Sequence, residues 1–153
     1  MNSLLHVTNL AQVIQLAVAP VFLLAGVGAV LNVLANRIGR IIDRARLMEE
    51  RLAAVDGDTA RELHDRLKIL SRRATLINRA IALNVLSGLL VSLVVAALFI
   101  TSSLNMDLAA PIAITFVMAL LSLAASLLLF LREVFLATAS LSFGGIRKSV
   151  VDK

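Results

Sequence analysis

The sequence predicts an all-α, polytopic membrane protein. It has three transmembrane helices, the first two extended into a cytoplasmic antiparallel coiled-coil hairpin. Three observations predict this. Hydrophobic residues make up 59 % of the 153 and charged residues 16 %, against about 45–50 % and about 25 % in soluble chains. The apolar residues gather in three blocks, about 10–35, 80–101 and 108–131. Of the 15 basic residues, 11 fall between Arg37 and Arg79 and the other four after the third block.

The first block has Thr8 or Asn9 as its expected cap. Its 26 residues reach about 39 Å as a helix, more than the ~30 Å of a hydrocarbon core. Pro20 is expected to kink it. No breaker precedes Arg37, and Ile38, Ile41, Ala45, Met48, Leu52 and Val55 recur at 3-4-3-4-3 spacing, a heptad seam. The helix is therefore expected to run on into water. Asp56-Gly57-Asp58 predicts a turn. Thr59-Ala60-Arg61-Glu62 reads as a capping box, and Leu63, Leu67, Leu70, Ala74, Ile77 and Ile81 form a matching seam. A helical hairpin over 37–79 follows, projecting roughly 25–30 Å at 1.5 Å per residue.

The second block continues the returning helix. Gly88, Ser92 and Ala96 form a row of small residues suited to close packing. Thr101–Asp107 reads as a polar loop, with Asp107 capping the third block and Pro111 in its first turn. Ser122 and Ser126 give that block its own small row. Beyond Arg132 and Glu133, the residues 132–153 are expected to form an interfacial helix, stopped at Gly144-Gly145, and a tail. The whole is expected to be one membrane domain. No basic residue lies before Arg37 or in the 101–107 loop. The positive-inside rule then puts the hairpin and C-terminus in the cytoplasm and the N-terminus outside. The first block lacks the basic start of a signal peptide and continues past Ala17-Val18-Ala19, so it reads as a retained span.

The net charge of +5 does not indicate nucleic acid. The basic residues flank apolar blocks, and there is no Trp or Tyr on which bases could stack. Catalysis has little to stand on. Cys is absent, His6 and His64 are expected on opposite sides of the membrane, and no HExxH, GxSxG or phosphate-loop pattern occurs. The chain is not expected to be an enzyme or to hold a metal or cofactor.

Two residue sets remain as candidate sites. At about 100° per residue, Gln12, Gln15, Ala19, Phe22, Gly26, Val30, Val33, Arg37, Arg40 and Arg44 fall within about 40° of one line on the first helix. Several copies around an axis would make a pore of this face. Glutamines would line its mouth, Phe22, Val30 and Val33 a constriction, and the arginines a basic vestibule. The plainer reading is helix packing, with the arginines obeying the positive-inside rule. The second set is a candidate polar or lipid-binding cluster at the cytoplasmic ends of the spans: Asn32, Asn36, Arg72, Arg73, Asn78, Arg79, Asn84, Arg132 and Glu133. Its asparagines can equally fix register through interhelical hydrogen bonds. Glu133 is expected to pair with Arg37, Arg40 or Arg79, and Arg72, Arg73 and Arg79 suit anionic lipid.

Pro20-Val21-Phe22-Leu23-Leu24-Ala25-Gly26-Val27-Gly28-Ala29 with Leu31-Asn32 opens a familiar order of blocks. Arg40-Ile41-Ile42-Asp43-Arg44-Ala45-Arg46, Arg72-Arg73-Ala74 and Leu76-Ile77-Asn78-Arg79-Ala80-Ile81 follow, and Leu131-Arg132-Glu133-Val134-Phe135-Leu136-Ala137 closes it. Together they resemble a bacterial family of small membrane proteins, the domain of unknown function 2721 family. The resemblance spans roughly Gln15 to Leu141, leaving out the hairpin tip. It implies a bacterial integral membrane protein in the inner (plasma) membrane, and carries over no activity or catalytic residue.

Three spans bury little alone, so a homo-oligomer in the lipid bilayer is expected. The functional expectation is an ion channel or channel-like transport protein with its pore lined by the first helix. The alternative is a non-conducting scaffold whose hairpin binds a partner or anionic lipid.

Overall fold

The computed structural model describes the backbone of residues 2–104 and 108–142, and the side chains of 14–102 and 108–137. The described chain is three helices: α1 (Asn2–Leu52), α2 (Asp58–Leu104) and α3 (Ala109–Ser142). Each is long and apolar enough to cross a membrane, over Ile14–Leu52, Asp58–Ser102 and Ala109–Ala137.

Several boundaries differ from expectation. α1 starts at Asn2, so Thr8 and Asn9 lie inside it, because helix-compatible residues such as Leu4 and Leu5 precede them. It passes through Pro20 without interruption. The lost N–H costs one intrahelical bond, and the turns on either side carry the helix on. α1 ends three residues before Val55, its last turns closed by Ala53 N–H to the Glu49 carbonyl and Ala54 N–H to that of Arg51. Gly57 makes the reversal at φ 81, a conformation glycine adopts without a Cβ penalty. α2 then begins at Asp58, one residue ahead of the expected capping box, with Arg61 N–H reaching the Gly57 carbonyl. α2 also extends through Thr101–Leu104, where a polar loop was expected. Thr101 lies within the helix and donates its hydroxyl to the Ala97 carbonyl at 2.8 Å. Pro111 sits in the first turn of α3. The expected Asp107 cap, the Gly144-Gly145 stop and the tail lie outside the described residues.

The chain forms two compact units, residues 1–32 with 82–125 and residues 33–81 with 126–153. In the first, Ala17, Val27, Val91, Val94 and Ala119 are buried together with Asn84, Ser87 and Ser122. The polar members are bonded across helices. Asn84 Nδ2 donates to the Val27 carbonyl at 2.9 Å, Ser87 Oγ to Ala119 at 2.8 Å and Ser122 Oγ to Leu83 at 2.8 Å. α2 is thus the shared element, meeting α1 through Asn84 and α3 through Leu83 and Ser87. Gly88 packs so closely that a Cβ there would stand 3.2 Å from Val27 Cγ1. Only this member of the expected small row packs. Ser92 and Ala96 are exposed, since four-residue steps carry the row off the contact face, and Ser92 bonds back to the Gly88 carbonyl.

In the second unit, α1 and α2 run out to and back from the Gly57 turn. Ile41, Leu70, Ile77 and Leu34 are buried, and Ile38, Ala45, Met48, Leu52, Leu63, Leu67, Ala74 and Ile81 half-buried. These are the positions the 3-4 spacing selects. On α3, Ser126 Oγ donates to the Ala80 carbonyl at 2.7 Å.

Candidate functional site

The predicted stripe on α1 is mostly uncovered by the rest of the chain. Gln15, Ala19, Phe22, Gly26, Val33, Arg40 and Arg44 are exposed, Phe22 to 75 %, while Val30 and Arg37 are half-buried. The Gln12 side chain lies outside the described residues. The buried Val27, Leu34 and Ile41 of α1 lie about a quarter turn or less away at 3.6 residues per turn, and the buried Ala17 about half a turn away. Within one chain, the other residues cover this face only in part, at Val30 and Arg37.

Arg37 belongs to the centre of the second unit. Glu133 on α3 is fully buried, and two arginines converge on it. Arg73 of α2 donates from Nε at 3.0 Å and Nη2 at 2.8 Å, both to Oε1. Arg37 of α1 brings Nε to 2.5 Å from Oε2. That contact is an ion pair off the hydrogen-bonding direction, since Oε2 accepts no aligned hydrogen bond. Arg37 also lies over the Phe130 ring at 5.4 Å, a cation–π contact. One carboxylate thus ties together all three helices. Arg40 and Arg79, two of its three expected partners, are exposed and unpaired with it; Arg73 takes their place.

Arg73 was missed as a partner, although a signal exists. Within the second unit the α2–α3 bonds lie seven residues apart on both helices: Arg73 with Glu133 and Ala80 with Ser126. Setting the small residues Ala80 and Ser126 against each other in antiparallel order puts Arg73 opposite Glu133.

The second predicted set is divided. Arg73 and Glu133 come together. Asn84 is fully buried but belongs to the other unit, with Oδ1 lacking a hydrogen-bond partner. Asn32, Asn36, Asn78, Arg72, Arg79 and Arg132 are exposed.

Next to the ion-pair cluster, Arg37, Arg40, Ile41, Arg44, Leu70 and Arg73 surround a cavity of about 230 Å³. Four guanidinium groups and one carboxylate leave an excess of three positive charges here.

These features define an all-helical chain with three helices able to cross a membrane and a basic, ion-paired cluster at the ends of the apolar segments. The family model for proteins of unknown function, DUF2721, matches residues 17–143, and the chain belongs to that family. No curated protein and no solved structure matches it.

Proposed function

We propose that this protein is a multi-pass protein of a bacterial inner membrane, with its N-terminus outside and its hairpin and C-terminus in the cytoplasm. In this reading it assembles as a homo-oligomer around an axis lined by α1 and passes ions. The observation that carries the reading is the exposure of the Gln15-to-Arg44 face. That line runs from an amide through small and apolar residues to arginine. Copies meeting on that line would narrow at Phe22 and Val33 and open into Arg40 and Arg44, a vestibule favouring anions. The coiled-coil hairpin, continuous with α1 and α2, would carry movement of its tip to the constriction.

Purified protein in liposomes tests this. Chloride flux is expected, and Phe22→Ala or Val33→Ser is expected to raise it. Silent liposomes containing folded protein would rule conduction out.

A second reading is favoured by Leu47 and Ile69, exposed to 58 % and 53 % on the hairpin, beyond the apolar segments. In this reading the hairpin recruits a partner or gathers anionic lipid without conduction. Deleting 47–70 would then abolish partner capture and leave insertion intact, and an unchanged co-purification profile would reject it.

A further inference from the structure

We propose that the cavity bounded by Arg37, Arg40, Arg44 and Arg73 binds a phosphate oxyanion, supplied by the headgroup of an anionic phospholipid. The site is built from two helices. Arg37, Arg40 and Arg44 recur at three- and four-residue spacing, so they share one face of α1, and Arg73 faces them from α2. Ile41 and Leu70, 5 % and 7 % exposed, form an apolar border that thins the water around the guanidiniums. Charge attraction is stronger where water is reduced.

Two of the four arginines are already held in place. Glu133 takes Nε of Arg37 and Nε and Nη2 of Arg73. The Nη groups of Arg37 and Nη1 of Arg73 remain as donors. Among the described residues, Arg40 and Arg44 make no ion pair. Glu133 therefore orients half of the site and neutralises a quarter of its charge. Planar guanidinium forks match phosphate oxygens two at a time, which ammonium groups do not.

Size and position narrow the ligand. About 230 Å³ is room enough for a phosphate headgroup. The excess of three positive charges favours a phosphomonoester, which carries two negative charges, over a phosphodiester, which carries one. Arg37 stands two residues beyond Ala35, where the apolar block ends. In a membrane that is the level of lipid phosphates. The inference rests on the membrane placement proposed above and on the second, non-conducting reading, in which Arg40 and Arg44 face lipid; lining a central axis would take them out of its reach.

The test is native mass spectrometry of the full-length protein in detergent, titrated with phosphatidic acid or phosphatidylglycerol, with inorganic phosphate as a separate arm. Phosphatidic acid is expected to bind more tightly than phosphatidylglycerol. The Arg40→Ala/Arg44→Ala variant is expected to lose about tenfold or more in affinity. Both side chains are exposed, so the fold is expected to survive, and circular dichroism checks it. Arg51→Ala/Arg66→Ala removes the same charge from exposed positions further along the hairpin and is expected to bind as wild type. Arg40→Lys/Arg44→Lys keeps the charge but loses the forks, and is expected to fall between. Inorganic phosphate that binds with the same dependence on Arg40 and Arg44 while lipid stays silent supports the oxyanion site and reassigns its source. Equal binding by the wild type and the Arg40→Ala/Arg44→Ala variant overturns the proposal. Equal losses in the two double-alanine variants also overturn it, since binding would then follow charge alone.

Discussion

Glu133 is the residue on which the most interactions converge. A buried carboxylate is stable only with its charge matched, and removing one partner of a buried pair costs about 3–5 kcal/mol because the other charge stays behind. Glu133→Ala is therefore expected to destabilise the fold by about that amount, read as a shift in unfolding in mixed micelles. Arg73→Glu with Glu133→Arg is expected to recover part of the loss, while either single reversal is worse than alanine. Asn84 should behave differently. Interhelical hydrogen bonds in membranes average about 0.6 kcal/mol. Its Oδ1 already lacks a partner, so Asn84→Leu is expected to cost under about 1 kcal/mol in the same measurement. Gly88 is limited by space, not polarity. A leucine there meets Val27 and is expected to cost about 1–3 kcal/mol. The sequence marked both Glu133 and Asn84 as polar residues at the ends of spans. It did not say that Glu133 would be fully buried between two arginines, since burial depends on all three helices.

At the scale of elements, the hairpin and the spans obey one spacing. The buried positions of α1 continue the hairpin seam backward through Leu34 and Val27 to Pro20 in steps of seven, and α2 mirrors them at Ile77, Asn84 and Val91. The Asn84–Val27 bond sets the register within the first unit, and within the second Ile41 and Leu70 border one cavity. The absence of Cys makes the register directly testable. Leu34→Cys with Ile77→Cys is expected to form a disulfide, which needs Cα atoms about 4.4–6.8 Å apart. Leu34→Cys with Leu70→Cys is two turns out of step and should stay reduced. The seam was legible in the hairpin because charges surround it. It was not legible in the spans, where the apolar background hides any period.

For the whole molecule, the open question is what covers the outer faces of the helices. Only 17 %, 22 % and 17 % of the three apolar windows are buried within the chain. Lipid or further copies must cover the rest. Single cysteines distinguish sidedness: Asp58→Cys is expected to react with an impermeant maleimide only from the cytoplasmic side, and Ser102→Cys only from outside. Phe22→Cys is expected to cross-link copies if α1 lines an axis. Monomers only, in a membrane that keeps the protein folded, would remove the oligomeric reading.

The sequence by itself determined three long helices, their apolar segments, the turn at Gly57 and the family. The helices, segments and turn follow from composition and spacing along the chain, which are local; the family follows from the resemblance of its blocks. The tertiary structure alone decided that Arg73 and Arg37 hold Glu133, that Arg40 and Arg44 border a cavity with them, and that the Gln15-to-Arg44 face is left uncovered. Each of these depends on how far one helix is rotated and shifted against another. A charged run offers many near-equivalent partners, and only packing selects among them.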